Sequence, residues 1–281
     1  MKSYLPLQFI PIENDGFHIQ VNAMVNNIPA RLVVDTGASH TVFDKTRIAG
    51  FLNSGPIEGS GLQAKGLGTD IESHILHLEN INVENQKLID YQAILVDLSE
   101  LDQLFAPIFT GGIDGILGGD LLTRMAAIFN YKKQKIKLGG KKYPLQVLML
   151  TKGTFHYMIS LNIQGKQANL IVDTGASKTV FNKQSFKKFH HFTEEDLCLN
   201  DQPSAGIQAD FSEYNSTSIE SFSFGQLSIP GYKILLLDLQ NINYTYSILN
   251  LPPVDGILGS DFLEEYKAII HYKNKTIRLK K

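Results

Sequence analysis

Short apolar and alternating runs dominate the pattern of hydrophobic and polar positions along the chain. Residues 18–25 and 157–163 largely alternate between apolar and polar side chains, as strands with one buried face do. Residues 32–36 and 170–174 open with unbroken Leu, Val and Ile before they reach an aspartate. A 3.6-residue period is not sustained for four turns anywhere, which argues against a helical repeat. The pattern therefore predicts an all-β protein.

Polar pairs separate these runs at the places where hairpin turns are expected. Asn-Asn at 26–27 and Gln-Gly at 164–165 each stand between two apolar segments, and residues of these types tolerate the backbone of tight turns. Residues 92–98 and 232–239 are almost continuously apolar and rich in Ile, Leu and Val. These two segments are predicted to be buried strands.

The pattern occurs twice, because the chain contains an internal repeat. Residues 17–45 match residues 155–183 at about half of their positions. Residues 114–122 match residues 255–263, at a slightly larger spacing along the chain. The drift between the two spacings indicates small differences in loop length between two copies of one fold.

The repeat predicts two tandem lobes, with lobe one at residues 1–140 and lobe two at 141–281. The boundary is expected at residues 139–141, Gly-Gly-Lys, which is a short turn and not a long linker. One short helix is predicted in each lobe, at residues 118–126 and 259–267, where the strand pattern gives way to mixed apolar and charged residues.

Composition narrows the classes of function. A net charge of -2 and a pI near 6.4 give no sign of a nucleic-acid partner. The single cysteine, Cys198, excludes an internal disulfide and paired-cysteine metal or redox motifs. Residues 190–196 hold two histidines and three carboxylates without metal-ligand spacing, so no metal and no cofactor are expected. Since neither a membrane-spanning run nor a signal peptide is evident, we expect a cytoplasmic protein without membrane contact.

The sequence Asp-Thr-Gly appears once in each copy, at residues 35–37 and 173–175. A lone Asp-Thr-Gly is compatible with an ordinary turn, because Asp and Thr bond their own backbone and Gly permits a positive φ. Here each motif follows a buried-looking strand and precedes Ala-Ser. Further along, at a similar distance from the motif, each copy has Ile-Leu-Gly, at 116–118 and 257–259.

An aspartate stands on either side of each Ile-Leu-Gly segment. Asp114 and Asp255 precede it and are expected to brace a turn. Asp120 and Asp261 follow it and are expected to cap the predicted short helix. Neither pair is expected to be catalytic.

The combination of Asp-Thr-Gly and Ile-Leu-Gly in each copy resembles the aspartic protease family, in both its pepsin-like and its retroviral branches. The resemblance covers nearly the whole chain and implies two tandem retropepsin-like lobes, each a closed β-barrel-like unit, related by a pseudo-twofold axis. The short turn at 139–141 favours pairing of the lobes within one chain, giving a monomer that is an intramolecular pseudo-dimer. The alternative is a dimer in which each chain lends a lobe to the other. Ala38 and Ala176 follow the motif as in the retroviral branch. Ser39 and Ser177 depart from it, since retroviral enzymes have an Asp there, paired with an Arg that is also missing here, at Gly119 and Ser260.

The resemblance assigns roles to both motifs. Asp35 and Asp173 would be the catalytic pair. Thr36 and Thr174 would reach across to the opposite loop. Gly37 and Gly175 would let backbone amides approach the carboxylates.

Two carboxylates are needed because a single exposed one titrates near pH 4 and is a weak base. A close pair shares one proton over a wide pH interval, so one member accepts a proton from water while the other polarises the scissile carbonyl. The function expected is aspartic endopeptidase activity on an extended polypeptide. The alternative is a peptide-binding module that uses the same cleft but is catalytically silent or very selective.

The family also implies glycine-rich flaps that close over the substrate. The expected flap residues are Gly61, Leu62, Gln63 and Ala64 in lobe one, and Ile207, Gln208 and Ala209 in lobe two. The shared apolar-Gln-Ala sequence indicates two related flaps. An ordinary flexible hairpin is the alternative at both places.

Overall fold

The computed structural model describes residues 3–6, 8–12, 16–52, 62–65, 70–84, 86–105, 111–138, 156–189, 198–200, 214–225 and 227–279. The expected lobe boundary, residues 139–141, lies outside these ranges. Within them the chain is mostly β-strand with a few short helices, arranged as two tandem lobes, as the sequence predicts. No helix among these residues has the length and apolar character needed to cross a membrane.

Lobe one is a closed barrel built from the alternating and apolar runs. Its strands are β1 (Ser3–Pro6), β2 (Gln8–Ile12), β3 (Gly16–Val25), β4 (Ile28–Val34), β5 (Val42–Asp44), β6 (Leu62–Lys65), β7 (Asp70–Val83), β8 (Gln86–Val96), β9 (Gly115–Leu117), β10 (Ile128–Asn130) and β11 (Lys135–Leu138). The sheet runs β2-β3-β4-β9-β5-β8-β7-β6, and pairing of β3 with β7 closes the barrel. Closure removes the open edges that a flat sheet would expose.

Lobe two repeats this arrangement. Its strands are β12 (Met158–Ile163), β13 (Lys166–Val172), β14 (Val180–Asn182), β15 (Cys198–Asn200), β16 (Tyr214–Phe224), β17 (Leu227–Leu237), β18 (Gly256–Leu258), β19 (Ile269–His271) and β20 (Thr276–Arg278). The order is β12-β13-β18-β14-β17-β16-β15, closed by pairing of β12 with β16. The predicted hairpin turns are confirmed: Asn26 and Asn27 have φ of 47° and 67°, and Gln164 and Gly165 have 50° and 82°.

The Ile-Leu-Gly segment of each lobe forms a short central strand. In lobe one, β9 runs parallel to β4 and antiparallel to β5. In lobe two, β18 holds the same position between β13 and β14. Because β4 and β13 run parallel to these central strands, each Asp-Thr-Gly loop starts directly beside the end of a central strand.

The two lobes share one further sheet and one core. Its order is β1-β11-β10-β19-β20, and the lobes join where Phe129 of β10 pairs with Ile270 of β19. Tyr131 N donates to Ala268 O at 3.0 Å, and Tyr272 N donates to Ala127 O at 2.9 Å. A single cluster of buried apolar side chains runs through both barrels and this sheet. The lobes are therefore joined by main-chain pairing and by shared apolar burial.

The described residues form more helices than the one predicted in each lobe. The predicted pair forms α2 (Gly119–Arg124) and α5 (Ser260–Glu265). The structure adds α1 (Ser99–Phe105), α3 (Lys183–Phe186) and α4 (Gln240–Ile248), together with 3₁₀ turns at Ile48–Phe51 and Tyr131–Lys133.

Helices α1 and α4 begin at equivalent places in the repeat. Asp97 Oδ1 accepts a hydrogen bond from Ser99 N at 2.9 Å, and Asp238 Oδ1 accepts one from Gln240 N at 2.8 Å. Each helix packs against a smaller apolar cluster beside its barrel, which contains Phe105 in lobe one and Tyr246 in lobe two. Helices of fewer than three turns are too short for a periodicity test over four turns, so the sequence pattern missed them.

Candidate active site

The two Asp-Thr-Gly loops meet at the interface between the lobes. Each leaves a buried strand, β4 or β13, and is fixed at its first residue by the neighbouring central strand. Asp35 N donates to Leu117 O at 3.1 Å, and Asp173 N donates to Leu258 O at 3.0 Å. The repeat thus holds both aspartates by the same main-chain contact.

Backbone amides of its own loop orient each carboxylate. Asp35 Oδ1 accepts hydrogen bonds from Gly37 N at 2.7 Å and Ala38 N at 3.0 Å. Asp173 Oδ1 accepts the equivalent bonds from Gly175 N at 2.7 Å and Ala176 N at 3.2 Å. One oxygen of each carboxylate is thereby held by its own loop, while the second is available to the opposite lobe.

The structure brings the two carboxylates together. Burial, the charge of Asp173 and a side-chain hydrogen bond between the two groups raise the pKa of Asp35 well above its ordinary value. The loop amides of Gly37 and Ala38 oppose this shift but do not outweigh it. The pair is therefore expected to retain a proton at a pH where an isolated exposed carboxylate would have lost it.

Glycine is required in both loops because the opposite carboxylate occupies the space of a side chain. A Cβ at Gly37 would lie under 3.0 Å from all three carboxylate atoms of Asp173. A Cβ at Gly175 would lie equally close to the carboxylate of Asp35. Each glycine therefore permits the close approach of the two acids, in addition to the amide contacts expected of it.

The two threonines cross-link the loops as expected. Thr36 Oγ1 donates to Val172 O at 2.8 Å and accepts from Thr174 N at 2.9 Å. Thr174 Oγ1 donates to Val34 O at 3.0 Å and accepts from Thr36 N at 3.1 Å. Both side chains are buried, so these bonds are shielded from water.

Removal of one threonine hydroxyl is expected to weaken the lobe interface. Thr36→Val leaves Thr174 N and Val172 O without their buried partner, which should lower the free energy of unfolding by about 2–4 kcal/mol. Thr36→Ser keeps the hydroxyl and should cost much less. Urea unfolding of both variants measures the difference, and equal stability of Val and Ser at this position would contradict the interpretation.

A second network fixes each loop to the helix that follows the central strand. Asp120, which is 2% exposed, accepts hydrogen bonds from Thr41 N and Thr41 Oγ1, both at 2.9 Å, and from the Tyr91 hydroxyl. Thr41 Oγ1 also accepts a bond from Gly118 N at 3.0 Å. Thr179, Asp261 and Gly259 form the equivalent contacts in lobe two.

These contacts correct one expectation. Asp120 and Asp261 were expected to cap the short helices α2 and α5. The N-cap residues are instead Gly118 and Gly259, without a side-chain cap bond. The aspartates lie inside the first turn and bind the segment after the Asp-Thr-Gly loop. Asp114 and Asp255 brace their turns as expected, by accepting from Arg31 N and Asn169 N.

The flap residues are only partly described. Leu62, Gln63 and Ala64 lie on β6, which pairs with β7 as a hairpin. Gly61 lies outside the described residues, and so do Ile207, Gln208 and Ala209 of lobe two. Their role in binding a substrate stays a prediction.

Sequence reasoning missed two histidines beside the paired loops, His18 and His156. His156 Nε2 is hydrogen-bonded to Ser39 Oγ of the other lobe at 3.0 Å, and its Nδ1 to the Tyr246 hydroxyl at 2.7 Å. His18 is 3% exposed, and the charge of Asp173 acts on its ring. The signal was available, since Phe-His opens both matched segments, at 17–18 and 155–156.

Comparison with known proteins places both lobes in one family. The family model described as "Aspartyl protease" matches residues 21–121 and again residues 159–262. Among solved structures, the chain is similar to a retropepsin-like aspartic protease from Rickettsia conorii, with 19% sequence identity and a TM-score of 0.33, over 49% of this chain and 91% of that chain. No protein of curated function matches it.

Proposed function

Because the chain belongs to the aspartyl protease family, we propose that it is an aspartic endopeptidase whose catalytic pair is Asp35 and Asp173. The observation that carries the proposal is the interlocked pair of Asp-Thr-Gly loops, which holds each carboxylate within 3.0 Å of the Cβ position on the opposite glycine. A pure binding module has no need of two acids held so close together, since placing like charges side by side is costly unless they are used.

The proposed reaction follows from one proton shared by two carboxylates. The ionised member of the pair removes a proton from a water molecule, and the protonated member donates a hydrogen bond to the scissile carbonyl. Water attacks the carbonyl carbon and forms a tetrahedral diol. The protons then pass to the leaving amine as the C–N bond breaks. The proton belongs to the pair as a whole, so neither role is assigned to one residue.

The proposed substrate is a polypeptide in extended conformation. An extended chain placed between two β-barrels satisfies its backbone groups by strand-like pairing. The expected flaps would supply part of that pairing. We also propose that the site forms within one chain, which is supported by the sheet that joins β10 to β19. Sedimentation that shows only a compact dimer would contradict this part of the proposal.

Cleavage of an unfolded protein between about pH 3 and pH 8 tests the proposal. New amino termini that accumulate with a bell-shaped pH dependence are the expected result. Absence of cleavage at every pH, together with capture of an intact peptide, would favour the binding module instead.

The upper limb of that profile is expected to extend towards neutral pH. The pKa of Asp35 is raised, so the shared proton is lost only at a higher pH, and activity declines there. Ala38 and Ala176 have no hydroxyl group, so each donates to its neighbouring carboxylate through its backbone amide alone.

The double variant Ala38→Ser, Ala176→Ser should move the upper limb to lower pH by about one unit, because hydroxyl donors stabilise the ionised form. Initial rates at fixed substrate concentration measure the limb in both proteins. Wild-type activity confined below about pH 4 would contradict the expectation.

A further inference from the structure

The two histidines occupy equivalent positions of the repeat, one in each lobe. His156 stands just before β12, and His18 lies on β3, at the matching position of the first copy. His156 reaches the Asp-Thr-Gly loop of lobe one through Ser39. His18 feels the charge of Asp173, which belongs to lobe two. The charge of Asp173 acts on His156 as well, so both rings lie near the aspartate pair.

The two rings differ in their hydrogen-bond partners. The ring of His156 stacks on Tyr246 of α4, with centroids 6.0 Å apart, and its Nδ1 is hydrogen-bonded to the tyrosine hydroxyl. The equivalent of Tyr246 in lobe one is Phe105 of α1, because the spacing that relates the starts of the two helices also relates these residues. Phe105 meets His18 edge to face, with centroids 5.1 Å apart, and has no hydroxyl to offer.

The ring of His18 is left unsatisfied, because the hydroxyl of Tyr246 has no counterpart and Ser177, the counterpart of Ser39, makes no hydrogen bond to it. Among the described residues neither of its nitrogens has a hydrogen-bond partner, although the side chain is almost fully buried. An unpaired buried polar group is destabilising, and such groups in native proteins point to a role or to a missing ligand. Both nitrogens of His156, by contrast, are already occupied.

The charge state of His18 restricts what it can bind. Burial lowers the pKa of His18 to about 4, so above that pH the ring is neutral and offers one donor and one acceptor. A side-chain amide or hydroxyl, which also both donates and accepts, is the matching group. An apolar side chain would leave the ring unsatisfied.

We propose that His18 is a specificity-determining residue that hydrogen-bonds an amide or hydroxyl side chain of the bound polypeptide on its side of the Asp35–Asp173 pair. His156, held by Ser39 and Tyr246, leaves the opposite side to apolar side chains. This inference rests on the proposed function, since it names the substrate class of the same site. The two sides of a nearly symmetric site would then bind different kinds of substrate side chain.

The test uses peptides that differ only in Gln or Met, which are similar in shape, at each residue flanking the cleaved bond. Wild type is expected to prefer Gln about tenfold in kcat/KM at one flanking residue, the effect of one hydrogen bond. His18→Leu should abolish that preference, and Phe105→Tyr should weaken it by occupying one of the two free nitrogens. The converse variant, Tyr246→Phe, should create a Gln preference at the other flanking residue.

Binding of the same peptides to Asp35→Asn provides a readout that does not depend on catalysis, and thermal unfolding checks that every variant is folded. Cleavage without a Gln preference, or with one that survives His18→Leu, overturns the inference and leaves the proposed function standing. Binding with a His18-dependent Gln preference but no cleavage by wild type supports the inference and overturns the proposed reaction. Neither cleavage nor binding overturns both.

Discussion

Asp35→Asn and Asp173→Asn are each expected to reduce proteolysis by about a thousandfold or more, because each removes one half of a shared proton-transfer pair. Asparagine has the shape of aspartate, and its oxygen still accepts the loop amides that orient the native carboxylate. Its nitrogen, however, replaces the oxygen that shares the proton. Release of new amino termini from an unfolded protein measures the loss.

Asp90→Asn is the matched control, since Asp90 is exposed, far from the paired loops in the chain, and only loosely paired with His77 at 3.5 Å. It should keep full activity. Two equally inactive but folded single variants would support one site built from both lobes. A single variant that retains a tenth of wild-type activity would contradict it. Activity restored by mixing the two inactive variants would show instead that lobes are exchanged between chains.

Gly37→Ala and Gly175→Ala are each expected to lower kcat by about a hundredfold, because a shift of about 1 Å between reacting groups has an effect of that size. The added methyl group would lie under 3.0 Å from the opposite carboxylate. That carboxylate has little freedom to move away, since two loop amides hold it. The two acids must therefore separate.

Gly50→Ala is the matched control for the added methyl group, since a Cβ there meets no atom within 4 Å. It should leave kcat unchanged. Thermal unfolding distinguishes a displaced carboxylate from a general loss of fold. Wild-type kcat in either loop variant would show that the close approach of the two acids is not needed.

The sequence was informative where a local motif and its repeat constrained the same residues. The pairing of Asp35 with Asp173 was expected from the family resemblance, which rested on the repeated motif and the Ile-Leu-Gly segment that follows it in each copy. Alternation and turn residues predicted strands and hairpin turns, whereas the barrel-like lobes were expected from the same resemblance. The lobe boundary at 139–141 and the lobe-two flap residues lie outside the described residues, so they stay predictions.

Contacts between distant segments were not predictable in the same way. The position of Asp120 suggested a helix cap, but the side chain binds Thr41 and Tyr91, whose proximity depends on how β8 and β9 pack. His18 and His156 carry no motif, and their surroundings differ through helices too short to show a period. The difference between their surroundings is evident only when the two lobes are compared, which shows that Phe105 and Tyr246 hold equivalent positions.

The joining of both barrels in one chain has a consequence for how such a site changes over time. In an assembly of two identical chains, every substitution appears twice, so a residue that suits one side must also be tolerated on the other. Here the residues that form the two sides of the site are encoded by different codons. Phe105 and Tyr246 differ by one oxygen atom, and a change of that size in one half leaves the other half unaltered. Because the two halves can mutate independently, one side can gain a preference for a substrate side chain while the other side stays unchanged.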